Sequence, residues 1–220
     1  CVFAYPGDTE RPVFDFSGQP RSTSTEAASY RGVMHNIGAN YWHYRGLDFC
    51  HAADNGMKLE GSYCVVELCR FYGNEDTGLQ QGFGKDSKGN NTRNTEFKYG
   101  RNNIIVNCDA YDNNDPWTHG GNADGFAIKL YPGPGNEFHG CRAWHNSDDG
   151  WDLYYTVFPI VVDNCWVLNN GLDKGNANGF KMGGCKQGGT STGAHVFKNC
   201  IAAFNAKKGF DQNHHREGLT

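Results

Sequence analysis

Several things are scarce in this 220-residue sequence, and each scarcity removes a class of protein. No apolar run approaches the roughly 20 residues of a bilayer-spanning helix, so no membrane partner is expected. No charged, apolar and small-residue succession of a secretory signal opens the chain, which begins at Cys1 and stops at Thr220 in mid-pattern. The expectation is therefore a single domain over 1–220, the central part of a longer chain without its terminal caps. Basic charge is not in excess either: 20 Lys and Arg against 24 Asp and Glu leave a net charge of -4. Without a general positive field, nucleic acid is not an expected partner, and any anionic ligand must be held locally. The nine cysteines contain no Cys-x-x-Cys knuckle for zinc. A 3.6-residue apolar period is missing as well, which excludes packed helices. Mean hydropathy is low, at -0.68, yet aromatics make up 14% of residues, which argues for a packed core and against disorder.

What the chain has in quantity is glycine, 30 residues, and asparagine, 23. They are distributed in a repeat that runs from about residue 46 to the end. In each unit a cysteine is followed five residues later by asparagine: Cys69/Asn74, Cys108/Asn113, Cys141/Asn146, Cys165/Asn170 and Cys200/Asn205. An apolar residue stands three positions before each cysteine and another two after it, as expected of strands facing a core. The second anchor is glycine followed by a large apolar residue, at Gly56-Met57, Gly78-Leu79, Gly125-Phe126, Gly150-Trp151, Gly179-Phe180 and Gly209-Phe210. From cysteine to glycine the steps are 9, 17, 9, 14 and 9, so a fixed corner receives two insertions, Asn114 to Ala123 and Gly171 to Asn178.

Units this short cannot bury their apolar residues alone and must stack on one another, which predicts an all-β solenoid, a parallel β-helix. Stacking turns each recurring residue into a ladder with the spacing of adjacent strands. Asn74, Asn113, Asn146, Asn170 and Asn205 are expected to form an internal asparagine ladder of paired amides. The five cysteines become a small, reduced, apolar interior row with no need of metal or disulfide.

The residue after each anchor glycine's apolar neighbour points outward, giving the column Lys58, Gln80, Ala127, Asp152, Lys181, Asp211. The residue before each glycine gives a second column: Asp124, Asp149, Asn178 and Lys208. Asp124, Asp148, Asp149 and Asp152 therefore converge on one corner of adjacent coils. Four carboxylates so close must share protons or bind a cation, and an all-oxygen set without imidazole suits Ca²⁺. Lys181, next to Asp152 on the following coil, would have its pKa lowered toward neutrality by a bound dication and could then act as a base. Metal and base together fit abstraction of the proton beside the carboxylate of a uronic acid, with loss of the glycosidic oxygen at C4. The two insertions would wall a groove at the same corner, with Trp117 and His119 available for sugar contact. Lys129 and Arg216 are the further cations expected to meet substrate carboxylates.

These residues resemble the family 9 polysaccharide lyases, the pectate lyase group acting on galacturonan or rhamnogalacturonan backbones. The resemblance runs through Tyr5-Pro-Gly, Pro12-Val-Phe-Asp-Phe16, Asn122-Ala-Asp-Gly-Phe126, Ser147-Asp-Asp-Gly-Trp-Asp152 and Asn178-Gly-Phe-Lys-Met-Gly183. It implies a right-handed parallel β-helix and Ca²⁺-dependent β-elimination on an anionic pectic polysaccharide. It further implies Asp124, Asp148, Asp149 and Asp152 as metal ligands, Lys181 as the base, and a monomer that is secreted, periplasmic or held at the cell surface. Three alternatives stand beside it. A β-helix hydrolase of the polygalacturonase type would use the aspartates as acid and base, but its Gly-His-Gly and Arg-Ile-Lys motifs are missing. A non-catalytic carbohydrate-binding β-helix would use Ca²⁺ structurally, and an epimerase would return the same proton to the opposite face.

Overall fold

In a computed structural model, described for residues 1–21, 30–83, 94–185, 191–215 and 218–220, the chain winds through seven coils of a parallel β-helix. Each coil contributes one short strand to each of three seven-stranded sheets, and every sheet pairing is parallel and between neighbouring coils. The coil that begins the site, for example, runs Ile104–Val106, Asp109–Tyr111, Phe126–Ile128, and the next runs Asn136–His139, Arg142–Trp144, Trp151–Asp152. Among the described residues there is no helix.

The register aligns the inward residues expected from the repeat. Val66, Ile105, Phe138 and Val162 stack in the first sheet, Phe71, Ala110, Ala143 and Val167 in the second, and Leu79, Phe126, Trp151 and Phe180 in the third. All of these are buried. The third-sheet rings pack on one another, with centroids 4.6 Å apart for Phe126 and Trp151 and 5.2 Å for Trp151 and Phe180.

The corner between the first two sheets is made by one residue with positive φ just before each cysteine: Leu68, Asn107, Gly140, Asn164 and Asn199. That sharp bend turns each cysteine inward. All nine cysteines are free, and the thiols of Cys108 and Cys141 donate to carbonyls of the preceding coil, Val66 and Ile105. The asparagine ladder is continuous: side-chain amides donate from Asn74 to Asn113 at 2.9 Å, Asn113 to Asn146 at 2.8 Å, Asn146 to Asn170 at 3.0 Å and Asn170 to Asn205 at 2.9 Å. A second, shorter ladder joins Asn103 and Asn136 at the corner leading into the first sheet.

The anchor glycines are needed for close approach rather than for φ. A Cβ on Gly125 would lie 2.8 Å from the Gly150 carbonyl oxygen and 2.9 Å from Asn146 Nδ2.

Outside, charges alternate up the second sheet, where Asp48, Arg70, Asp109 and Arg142 occupy one register column. Arg142 grips Asp109 with two hydrogen bonds, at 2.7 and 2.8 Å.

Candidate active site and metal centre

The outward column of the third sheet forms as the alternation requires: Met34, Lys58, Gln80, Ala127, Asp152, Lys181 and Asp211 follow one another in register. Alternation did not disclose what lies over it. Lys58, Gln80, Ala127 and Asp152 are buried although they point away from the core. The column is the floor of a groove.

One wall comes from the two insertions, in the corners Tyr111 to Phe126 and Leu168 to Phe180. They are tied together by the Lys174 amide, which donates to the His119 carbonyl at 2.9 Å, and Trp117 and His119 are exposed on them. Their larger contribution is to the carboxylates. The Asn122 and Asn176 amides both donate to Asp148, the first at 2.9 Å. Asn178 donates its backbone and side-chain N–H groups to Asp149 Oδ1, each at 2.9 Å. The Asp149 amide in turn donates to Asp124 Oδ1 at 3.3 Å.

So held, Asp124, Asp148 and Asp149 bring one oxygen each to within 4.8 Å of one another, and all three are buried. Asp152 stands beside them with its oxygens engaged elsewhere. Its Oδ1 accepts the Tyr154 amide at 2.9 Å, while Oδ2 lies 3.3 Å from Lys129 Nζ and 3.4 Å from Lys181 Nζ. Lys129, expected only as a substrate contact, is an internal cation here, 2.7 Å from Asp124 Oδ2. Lys181 Nζ also lies 3.3 Å from Asp149 Oδ2 and 5.6 Å from the centre of the Tyr154 ring. Arg216 falls outside the described residues. The site faces a cavity of about 270 Å³ lined by Asn122, Lys129, Leu130, Asp148, Asp152, Tyr154, Asn176 and Lys181.

Four carboxylates face two ammonium groups, and a fifth carboxylate, Asp76, also acts on Lys129, so negative charge is in surplus. The titration behaviour reflects this surplus. Burial raises Asp124 well above the usual carboxylate range, Lys129 opposing and Asp152, Asp148 and Asp149 adding to it. Burial and then Asp148 push Asp149 up to about 7. Asp152 goes the other way, because Lys181 and Lys129 outweigh its burial. Burial would depress the Lys181 ammonium, but Asp152, Asp149 and Asp124 together hold it above its ordinary value. The lowered pKa expected for Lys181 is thus not a property of the protein groups alone; they favour the charged lysine.

An observation internal to the fold tests whether these residues suit a cation. Asp149 Oδ2 is buried and has no hydrogen-bond partner, its contact with Lys181 Nζ lying outside hydrogen-bond geometry. A buried carboxylate oxygen without a hydrogen bond, met only by the Lys181 ammonium at 3.3 Å, has coordination to spare for a further cation. Oxygen donors alone, with neither sulfur nor imidazole among them, fit a hard divalent ion.

Over residues 1–220 the chain matches the family described as "Pel9A-like, right handed beta helix region". It belongs to that family. The family 9 resemblance and the right-handed parallel β-helix are thereby borne out. Among curated relatives of this Pel9A-like chain, pectate lyase L of Dickeya dadantii (strain 3937) is 37% identical over 226 residues, covering 100% of this chain and 48% of that protein. Pectate lyase L of Thermoclostridium stercorarium is 39% identical over 225 residues, covering 96% of this chain and 16% of that one. The crystal structure of pectate lyase Pel9A superposes with a TM-score of 0.76 at 37% identity, covering 93% of this chain and 47% of that one. A rhamnogalacturonan lyase superposes with a TM-score of 0.77 at 27% identity, covering 97% and 52%. The chain spans about half the length, or less, of these relatives.

Sequence reasoning missed several residues that the Pel9A-like fold brings to the site. Asn122 and Asn176 lie in insertions with no repeat to align them, and Tyr154 follows the last strand residue into a turn. Asn178 stood in the column that also holds Asp124 and Asp149, which was the available signal for its place beside them.

Proposed function

We propose that this chain is the catalytic β-helix of a polysaccharide lyase that cleaves a galacturonate-containing pectic backbone by β-elimination, with Ca²⁺ as cofactor. The observation that carries the reading is the position of Lys181 Nζ, on the floor of an open groove, 3.3 Å from Asp149 of the carboxylate nest and 3.4 Å from Asp152. The kinship with proteins named pectate lyase and rhamnogalacturonan lyase supports it.

Asp124, Asp148 and Asp149 would hold the ion, with Asp152 as the fourth carboxylate of the set. Bound there, Ca²⁺ supplies positive charge that acidifies the C–H beside a uronate carboxylate and offsets the carboxylates that keep Lys181 protonated. Lys181, in its neutral form, takes the proton from C5 onto Nζ. The electron pair of that C–H bond becomes the C4–C5 double bond as the C4–O glycosidic bond breaks, and solvent protonates the departing oxygen. Asp152 keeps Lys181 aimed into the groove between turnovers, and the Tyr154 ring shields one side of the amine from water. Lys129, paired with Asp124 and Asp152, fixes both carboxylates. Pectic polymers lie outside the producing cell, so the reading carries a secreted, periplasmic or surface location with it.

Ultraviolet absorbance of the unsaturated uronate, followed on polygalacturonate and separately on rhamnogalacturonan I, tests the proposal. A rise that needs Ca²⁺ and stops with a chelator is the expected result. New reducing ends without that absorbance would mean hydrolysis instead. Lys181→Ala is expected to lose about a hundredfold to ten-thousandfold in turnover, the usual contribution of a general base, while keeping the wild-type circular dichroism.

A further inference from the structure

The groove does not end at the carboxylate nest. Leu130 lines both the cavity beside Lys181 and a second one of about 230 Å³, whose walls also include Arg31, Met34, Lys58, Glu60 and Gln80. The two share a floor, since Lys58, Gln80, Ala127, Asp152 and Lys181 are consecutive residues of one register column. Four coil steps separate Lys58 from Lys181, roughly 19 Å at about 4.8 Å per step.

Lys58 is unusual among the cations of this face. Its residue is only 6% exposed, yet among the described residues its ammonium has neither an ion pair nor a hydrogen bond. Lys129, which is also buried, and Lys181, which is partly buried, each have two carboxylates within ion-pair distance. Arg31, at the rim of the same cavity, is engaged with Asp54 at 3.4 Å and with Asn55 at 3.1 Å. Glu60 follows on the same face of the strand, but the attraction of Glu60 and Asp76 does not offset burial and the repulsion of Arg31, and Lys58 is drawn down to about 8. The stem of Lys58 is buried and its ammonium faces the cavity, where holding an ammonium partly out of water without a counter-ion works against folding stability. A chain that retains one on the floor of a groove presents a site that an incoming anion completes.

We propose that Lys58 anchors a distal subsite that receives the carboxylate of an acidic sugar ring while the ring to be cleaved lies at Lys181. The inference rests on the lyase reading of the same groove and adds a binding determinant to it. A carboxylate entering the second cavity supplies the counter-ion that the fold withholds, and a pyranose chain laid along the column advances by about one ring per coil step. The gain from Lys58 is then available only to chains long enough to reach it.

The test uses oligogalacturonates from trimer to octamer, titrated calorimetrically in Ca²⁺ against Lys181→Ala, so that binding is read without cleavage. Affinity is expected to step up about tenfold at the length that first reaches Lys58. Adding Lys58→Met is expected to abolish the step, and Lys58→Arg to keep it. Because methionine replaces an unpaired buried charge with an apolar stem, Lys58→Met is also expected to melt at or above the parent temperature. The same length step in Lys58→Met would overturn the subsite, as would a melting point several degrees lower with the step intact, which would make Lys58 structural. If the wild type cleaves polygalacturonate and the step survives Lys58→Met, the subsite alone has failed. If no length is bound or cleaved, the lyase reading has failed and the subsite with it.

Discussion

At the scale of single residues, Asp149 links the charge balance of the site to pH. Burial and Asp148 hold its pKa near 7, far above a free carboxylate. Below about 7 it keeps a proton in the absence of a cation, and that proton must leave before the oxygen can ligate. Calcium affinity is therefore expected to fall at least about tenfold for each pH unit below 7, and more steeply where Asp124, also raised by burial, must release a proton too. Asp149→Asn, which cannot ionise, is expected to bind more weakly at pH 8 and to lose most of that pH dependence; isothermal titration at several pH values reads both. An unaltered pH profile in the variant would transfer the titration to Asp124, the other carboxylate raised by burial. Sequence columns were sufficient to find these four aspartates, because residues stacked on successive coils are neighbours whatever their separation along the chain. They were not sufficient for the direction of the Lys181 shift: the column placed Asp152 beside it, but not the second carboxylate, Asp149, that also holds it charged.

At the scale of the repeated element, the asparagine ladder shows how much stability one recurring side chain can hold. Asn146 accepts from the Asn113 side chain, donates to Asn170 and to the Ala110 carbonyl, and is fully buried. Asn146→Ala leaves the Asn113 amide and the Asn170 oxygen short of a partner in a dry interior. Each such loss costs about 1 to 3 kcal/mol, so a drop of about 2 to 4 kcal/mol in unfolding free energy is expected, read from urea midpoints at constant m-value. A change under about 1 kcal/mol would mean that water enters the corner and replaces the amide.

The ladder, the cysteine row and the anchor glycines were all legible in the sequence because each recurs at a fixed offset. The physical demand behind the glycines was not, since it lies in the carbonyl of the next coil. Other elements left weaker traces. The positive-φ corner is filled by Leu68 in one coil and by Asn or Gly in others, so no single residue type marks it. The Asn103 and Asn136 ladder is too short to stand out as a repeat. Above all, strand alternation separates inward from outward but says nothing about how far the outward face is itself buried, which is why Lys58, Gln80 and Asp152 were expected to point outward and are nonetheless buried.

At the scale of the whole molecule, every sheet pairing joins adjacent coils, so stability is close to a sum of coil and interface contributions. A cation in the carboxylate nest would act on only part of that sum. Asp124 belongs to the fourth coil and Asp148 and Asp149 to the fifth, while Asn178 and Lys181 extend the same contacts into the sixth. Binding is expected to clamp these three coils together. At a free Ca²⁺ concentration about a hundredfold above Kd, ligation adds about 2.7 kcal/mol. For a domain of this size that is a rise of roughly 5 to 10 °C in Tm. The distribution of the gain is the sharper test. In native-state hydrogen exchange, amides of the strands Phe126–Ile128, Trp151–Asp152 and Phe180–Lys181 are expected to gain protection on adding Ca²⁺, with little change at Val13–Asp15 or His43–Arg45, two and more coils away. A gain spread evenly over all seven coils would show that the helix unfolds as one cooperative unit rather than coil by coil. No gain in the central coils, at a concentration where calorimetry registers binding, would place the ion somewhere other than the nest of Asp124, Asp148 and Asp149.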